Sequence, residues 1–163
     1  MIERTLVLVK PDGVARSLIG RILSRFEDAG LKIVGMKMQW VDESFAKKHY
    51  TEDLAIRRGE AVRRRMVTYL QTGPILALCL EGINAVEVVR KIVGSTEPKS
   101  AAPGTIRGDF AHVSYEHADT KDEGLRNLIH ASGDLKDATY EVPLWFTPAE
   151  LHSYKTVHDA HIL

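Results

Sequence analysis

The chain has 163 residues with 22 basic and 22 acidic side chains, so its formal net charge is zero and provides no overall attraction to nucleic acid or an anionic membrane. One cysteine, Cys79, excludes an internal disulfide framework, and no apolar run approaches the roughly 18 residues of a membrane span. The length predicts one domain, residues 1–163. Because the first residues run into a strand without a signal-peptide pattern, we expect a cytoplasmic protein.

The first predicted strand is the apolar run Thr5–Val9. It ends at the turn Lys10-Pro11-Asp12-Gly13, which places Lys10 at the edge of a cleft or, in the plainer interpretation, in solvent. No Walker loop or dinucleotide-binding glycine motif is present in the sequence. Apolar spacing over Leu18–Ala29 predicts an amphipathic helix that stops at Gly30. Residues Lys32–Val41 predict a second strand.

A short helix, Glu43–Tyr50, follows with Asp42 as its N-cap. Tyr50 at its end is either a packed aromatic or a hydrogen-bond donor to phosphate, and the sequence alone favours packing. Arginines then cluster between Arg57 and Arg65, beside acidic residues and without interleaved aromatics. A nucleic-acid patch is one interpretation, but a solvated helical face is favoured.

The third predicted strand is Ile75–Leu80, and the pattern from Asn84 to Glu87 predicts a capping box that starts a helix ending at Gly94. A loop rich in Pro, Gly and Ser spans residues 97–108, and loops of this length are often functional. Glycines on either side of Arg107 favour a turn that aims its guanidinium, a natural phosphate ligand.

Residues Ala111–Tyr115 predict a fourth strand. The resulting order, βαββαβ with extra helices between the middle strands, predicts an α+β fold of the ferredoxin-like type: a four-stranded antiparallel sheet with helices on its face.

The segment Asn127–Ser132 places one imidazole, His130, between an amide, a hydroxyl and a short apolar run. Histidine is largely neutral near pH 7 and is then nucleophilic. This segment alone is weak evidence, since a histidine in such a setting is more often structural.

The ordered set of motifs resembles the nucleoside diphosphate kinases, in particular the archaeal members, from about Arg4 to Tyr154. The motifs that carry the resemblance are Lys10–Gly13, His49-Tyr50, Gly73-Pro74, Arg90, Thr96–Pro98, Pro103–Phe110, Asn127–Ser132 and Glu141 with Leu144–Phe146. The resemblance implies a ping-pong transfer of the γ-phosphate of a nucleoside triphosphate, typically ATP, to a nucleoside diphosphate through a phosphohistidine on His130.

The resemblance also implies roles for the other matched residues. Arg90, Thr96 and Arg107 would clamp the phosphates, and Tyr50 would donate a hydrogen bond near the γ-phosphate. Lys10 and Asn127 would contact the sugar hydroxyl and the transferring group, and Glu141 with Ser132 would orient the imidazole. Mg²⁺ would be bound through the nucleotide phosphates, with no metal ligands from the protein. A homo-oligomer, by resemblance a hexamer, is implied as well.

Two departures from the family pattern stand out. The usual Phe that stacks on the base is absent, and Val62 falls near its position in a segment with about four extra residues after Tyr50. A further insertion of about ten residues covers roughly His117–Leu125 and resembles the archaeal members. Both departures leave the phosphate-type residues in place, and the first one changes the contact with the base.

Two other classes of protein remain as alternatives. A ferredoxin-like regulatory module would bind nucleotide without a covalent intermediate. A nucleic-acid binder using Arg57–Arg65 would show strongly salt-dependent binding. Neither accounts for the simultaneous match at all the phosphate-type residues, so the kinase is preferred.

Overall fold

The computed structural model describes residues 1–162 and has a four-stranded antiparallel sheet at its centre. The strands are β1 Ile2–Val9, β2 Lys32–Gln39, β3 Ile75–Ile83 and β4 Ile129–Ala131. They lie in the order β2-β3-β1-β4, and every neighbouring pair is antiparallel. This is the predicted ferredoxin-like sheet.

The helices are α1 Pro11–Ala15, α2 Ile19–Asp28, α3 Glu43–His49, α4 Glu52–Arg58, α5 Glu60–Leu70, α6 Ala85–Val93, α7 Ile106–Phe110, α8 Tyr115–Thr120, α9 Leu135–Trp145 and α10 Asp159–Ile162. Helices α2 and α6 pack on one face of the sheet. Helices α3, α5 and α9 pack on the other. The helices inserted between the middle strands therefore give the sheet a second covering layer. No helix within residues 1–162 is long and apolar enough to cross a membrane.

Strand β1 is an inner strand of the sheet, and both of its faces are apolar. Leu6 and Leu8 enter the core on the α9 side, whereas Val7 and Val9 enter the core on the α2 and α6 side. All four side chains are fully buried. A run with no alternation of polar residues is what a strand covered on both faces requires.

The fourth strand was predicted at the wrong place. Residues 111–114 have no regular structure, and α8 begins at Tyr115 because the Ser114 hydroxyl accepts the His117 N–H at 3.2 Å and caps the helix. The position beside β1 is taken by β4, in which His130 lies opposite Leu8. With 3 residues, β4 is too short to give an alternating pattern in the sequence.

The predicted capping box at Asn84 is also wrong. Asn84 adopts a left-handed conformation with φ 49°, and its side chain makes no capping hydrogen bond. The N–H of Val86 is instead accepted by the carboxylate of Glu3, at 3.3 Å, so a residue from β1 caps α6.

The remaining elements follow the predictions with small changes. Asp42 caps α3 by accepting the Phe45 N–H at 2.8 Å. The arginine-rich segment forms two helices, α4 and α5, which separate at Gly59 where φ is +95°. Helix α9 continues through Pro143 to the buried Trp145.

Candidate active site

The sheet brings the end of β1 and the start of β4 together. The N–H of Lys10 donates to the carbonyl of Leu128 at 2.8 Å. The buried ammonium of Lys10 donates to Oδ1 of Asn127 at 2.8 Å, and Nδ2 of Asn127 donates to the carbonyl of Thr96 at 2.7 Å. Three predicted site residues from distant parts of the sequence therefore form one hydrogen-bonded chain.

Burial has a strong effect on the acidity of Lys10. Desolvation of the ammonium, helped by the nearby positive charge of Arg107 and opposed by Asp12, lowers the pKa of Lys10 from 10.5 to about 7. The protein keeps this charge in a place where an anion would relieve the cost of burying it.

Arg107 lies on α7 and is almost completely buried. Its guanidinium donates to the carbonyls of Asn127, Gly94 and Ile129, at 3.2, 3.0 and 2.6 Å. These bonds fix the plane of the group, and burial lowers its pKa to about 10, partly opposed by the nearby phenol of Tyr115. The exposed Arg90 on α6 is a second cation that lowers the same pKa.

His130, Ser132 and Glu141 form the second part of the cluster. Nε2 of His130 lies 3.0 Å from both oxygens of Glu141, and the Ser132 hydroxyl donates to the same carboxylate at 2.6 Å. Burial alone would raise the pKa of Glu141, but the His130 imidazole and these hydrogen bonds outweigh it and lower the pKa to about 2. Glu141 is therefore an anion, and an anion only accepts hydrogen bonds.

This pairing determines the tautomer of His130. Nε2 must carry the proton that the carboxylate accepts, so Nδ1 of the neutral ring keeps its lone pair. The imidazole side chain is 19% exposed, so it is held by the protein and still reachable from solvent. The arrangement presents a nucleophilic nitrogen.

Two buried polar atoms next to this cluster have no partner among residues 1–162. They are the Tyr50 hydroxyl and Nε2 of His49. The His49 ring contacts the rings of both Tyr50 and His130 edge-to-face, with centroids 4.7 and 4.6 Å apart. Because unpaired buried polar atoms are costly, both are placed to donate to a bound anion. The role of Tyr50 was predicted, whereas His49 was missed as a site residue.

The tautomer of His49 is also fixed. The indole N–H of Trp145 donates to Nδ1 of His49 at 3.2 Å. Burial, and next the neighbouring His130, lower the pKa of His49 to about 3, so the ring is neutral and its single proton is on Nε2. His49 is thus a donor toward the site.

A metal ion would conflict with these tautomers. His49, His130 and Glu141 each offer a ligand atom, and these atoms lie within 4.8 Å of one another. However, Nδ1 of His49 is taken by Trp145, and its Nε2 carries the proton that metal binding would displace. The donor set therefore suits an anion better than a cation.

Asp12 and Tyr69 also belong to the site and were not predicted from the sequence. The Asp12 carboxylate accepts the N–H of Leu128 at 3.0 Å and the hydroxyl of Tyr69. Leu128 has a left-handed backbone with φ 71°, which is strained for a leucine. Gly13 makes this approach possible, since a Cβ there would lie 2.9 Å from the Leu128 carbonyl oxygen. The turn signal at Pro11–Gly13 was visible in the sequence, but its distant partner was not.

Val62, like the exposed Arg90, lies outside the hydrogen-bonded cluster. It is half-buried on α5 and lines a separate cavity with Tyr115 and Leu125. The insertion that contains 117–125 packs beside the same cavity and makes ion pairs with α5, through Arg64 to Asp122 and Arg65 to Asp119.

The arginine cluster is largely neutralised. Arg57 pairs with Asp53 and Arg63 with Glu60, in addition to the pairs that Arg64 and Arg65 make with the insertion. Such pairing supports the interpretation of this segment as a solvated helical face.

Comparisons with known proteins agree with the motif-based resemblance. The family model described as nucleoside diphosphate kinase matches residues 3–151. A nucleoside diphosphate kinase of Pyrococcus horikoshii is 49% identical over 158 residues, which cover 96% of this chain and 93% of the relative.

Two solved structures are similar to this chain in both fold and sequence. A transition-state mimic of the Borrelia burgdorferi nucleoside-diphosphate kinase with bound vanadate and ADP has a TM-score of 0.97 and 46% identity, covering 99% of this chain and 96% of that one. The Halobacterium salinarum nucleoside diphosphate kinase in complex with CDP has a TM-score of 0.85 and 37% identity, covering 100% of this chain and 99% of that one.

Proposed function

This chain belongs to the nucleoside diphosphate kinase family and transfers the γ-phosphate of a nucleoside triphosphate to a nucleoside diphosphate; from this premise we propose that His130 carries the phosphate between the two nucleotides. The observation that carries this assignment is the hydrogen bond from Nε2 of His130 to Glu141, because it leaves the Nδ1 lone pair free. The His49 ring contacts the same imidazole, and the Tyr50 ring contacts His49 in turn.

In the first half-reaction, Nδ1 of His130 attacks the γ-phosphorus. The P–N bond forms as the bond from phosphorus to the β,γ-bridging oxygen breaks, and the electron pair leaves with the nucleoside diphosphate. The Nε2 proton stays on the ring, where the Glu141 anion stabilises the positive charge that develops. The second half-reaction is the reverse, with a terminal oxygen of another nucleoside diphosphate as the attacking group.

The surrounding residues act by position and charge, since phosphoryl transfer depends mainly on in-line alignment and on neutralising the equatorial oxygens. Arg107 has N–H groups beyond those bound to the main chain, and with Arg90 and Thr96 it would hold the phosphates. Lys10 and Asn127, already bonded to each other, would contact the sugar hydroxyl and the transferring group. Tyr50 and His49 would donate to the transferring phosphoryl oxygens through their unpaired atoms.

We also propose ATP as the usual donor, entering as its Mg²⁺ complex. Both carboxylates of the cluster already accept hydrogen bonds from protein groups. Asp12 accepts from Leu128 and Tyr69, and Glu141 accepts from His130 and Ser132. This supports a cation held by the nucleotide phosphates, which it would partly neutralise, without a protein cage. On the base side, Val62 would cover the base with an aliphatic surface.

Assembly into a hexamer is part of the same proposal. It is supported by exposed apolar side chains on the edge strand β2, where Met36 and Met38 project on one side and Trp40 follows the strand. An uncovered edge of this kind favours contact with another chain. Light scattering coupled to gel filtration measures the number of chains in the particle.

The phosphohistidine is tested by incubating the protein with ATP labelled on the γ-phosphate and denaturing it in alkali. We expect acid-labile, alkali-stable label on the wild type, and its loss when GDP is added before quenching. His130→Ala should take no label, whereas the matched variant His152→Ala, an exposed histidine elsewhere, should label normally. Label that persists in His130→Ala would assign the nucleophile to another residue.

A further inference from the structure

A cavity of about 290 Å³ opens between α5 and the segment that follows α7. Val62 and Met66 form its wall on α5, and Tyr115, Ala118 and Leu125 form the opposite wall. These walls are mostly apolar, while charged groups such as Arg58 stand at the edge. A slot with apolar walls and a polar edge suits a flat aromatic ring that carries polar substituents.

The cavity is joined to the phosphate site through three hydrogen bonds, two of which use a side chain. Arg63, next to Val62, donates to the Tyr50 carbonyl at 2.9 Å. The Asn127 N–H donates to the Leu125 carbonyl at 3.0 Å. The Tyr115 N–H donates at 3.0 Å to Glu97, which is adjacent to Thr96. Hydrogen bonds therefore link both walls of the cavity to residues of the phosphate site or to their immediate neighbours.

Tyr115 is held in a defined orientation at this junction. Its phenol is near enough to Arg107 to influence the pKa of that guanidinium. The Arg58 guanidinium lies 5.3 Å from the centroid of the Tyr115 ring. Among the five arginines of the segment 57–65, Arg58 is the one with no carboxylate partner within residues 1–162, and this ring is the contact it makes instead.

We infer that Tyr115 is a base-binding residue, and that its ring stacks on the nucleobase across the cavity from Val62. The inference rests on the proposed function, since it assumes that the phosphates of the same nucleotide lie against Arg107 and His130. It goes beyond that function because it assigns the aromatic platform to α8. Tyr115 supplies the aromatic surface that α5 lacks at the position of Val62, and it lies just before the inserted residues.

The expected recognition is broad. Stacking uses the face of the base and ignores its hydrogen-bonding edge, so purines and pyrimidines are all accepted. Larger bases should bind more tightly because they cover more of the tyrosine ring. Discrimination between bases of equal size should be weak.

The test compares a phosphate donor that carries a nucleobase with one that lacks it. The label transferred to the protein in the first half-reaction is measured as a function of ATP and of ribose 5-triphosphate, each labelled on the γ-phosphate. The variants are Tyr115→Ala and Tyr115→Phe. Tyr154→Ala is the matched control, because Tyr154 is also a partly exposed tyrosine near a cation, Lys32, at 5.7 Å, but it lies on the β2 side of the molecule.

For Tyr115→Ala we expect the half-saturating ATP concentration to rise roughly tenfold, the usual order for losing one base–aromatic stack. Tyr115→Phe and Tyr154→Ala should match the wild type. Half-saturation by ribose 5-triphosphate should be the same for all four proteins, which also shows that the variants are folded.

An unchanged ATP half-saturation in Tyr115→Ala would overturn the inference. So would an equal rise for both donors, since that would mean a disturbed phosphate site. If the wild type takes no label from ATP, the phosphohistidine assignment fails by itself. Calorimetric binding of ADP and of ribose 5-diphosphate to the same four proteins then decides the base contact.

Discussion

The carboxylate of Asp12 accepts the main-chain N–H of Leu128, 116 residues further along the chain, at 3.0 Å. Its other oxygen accepts the hydroxyl of Tyr69 on α5. One short side chain therefore ties together the turn after β1, the core helix α5 and the entry to β4. Lys10 and Asn127, which are bonded to each other, lie on either side of this connection.

Replacing Asp12 should impair catalysis more than substrate binding. Asp12→Asn keeps the shape of the side chain. Its amide has only one acceptor oxygen, however, whereas the Leu128 N–H and the Tyr69 hydroxyl both donate to Asp12. We expect kcat to fall roughly 10- to 100-fold, because displacement of catalytic groups by about 1 Å has effects of that order. The free energy of unfolding should fall by about 1–3 kcal/mol. Steady-state kinetics and urea unfolding measure the two effects, with Tyr69→Phe as the milder control. Normal kcat in a destabilised Asp12→Asn would contradict the positioning role.

Adding one methyl group at Gly13 should have a similar effect by steric means. The new Cβ would lie 2.8 Å from Cγ1 of Val9 and 2.9 Å from the Leu128 carbonyl oxygen. Neither neighbour moves easily, since Val9 is fully buried and Leu128 is bonded to Lys10. We expect Gly13→Ala to lose about 1–3 kcal/mol of unfolding free energy together with activity. Gly20→Ala is the control, because a Cβ there meets nothing within 4 Å. Equal stability of the two variants would show that the turn can relax.

Lys10 should make the nucleotide-free protein less stable at low pH. Its pKa is about 7 in the folded protein and 10.5 in the reference state. Between these values the unfolded chain binds more protons, so this residue makes stability rise with pH from 7 toward 10.5, and its cost is fully present below pH 7. Lys10→Met should therefore be more stable than the wild type at low pH, by several kcal/mol at about 1.4 kcal/mol per pKa unit. Urea unfolding at several pH values tests this, and a difference independent of pH would refute it.

Glu141→Gln should lower kcat while the KM for the nucleotide changes little. The amide can still accept the Nε2 proton, but it lacks the charge that stabilises a positive imidazole. We expect kcat to fall by roughly 100-fold or more. The pKa of Glu141 is about 2, so the wild-type carboxylate is ionised throughout the range of activity assays. Ser132→Ala, which removes one donor to Glu141, should have a smaller effect. Steady-state kinetics measure kcat and KM, and a normal kcat in Glu141→Gln would contradict a role for the charge of this carboxylate.

Most of the site residues were predictable because they belong to motifs that are local in sequence. Lys10, Arg107 and His130 each lie in a short segment with recognisable neighbours, and the structure brings them into one cluster. The roles of Asp12 and His49 were not predictable in this way. Asp12 looked like part of a turn, and its partners are 57 and 116 residues away. The tautomer of His49 depends on Trp145, which is 96 residues away.

The fold was predicted better than its boundaries. Strand β1 and helix α2 have long, regular apolar patterns, and both were found where expected. The fourth strand was misplaced because Ala111–Tyr115 has the composition of a strand but Ser114 caps a helix there. The true β4 is held by its neighbour β1, and such pairing leaves little trace in a segment of 3 residues.

The place of β4 in the sheet has a consequence for the order of folding. The central strand β1 is made first, yet one of its two partners, β4, comes from the last quarter of the chain. Contacts between such distant segments form late, because a long loop must close before they contribute to stability. On a ribosome, helices α1 to α8 and the β1–β3 pair can assemble while His130 is still being made. We therefore expect a growing chain to acquire most of its core before it has any capacity to be phosphorylated.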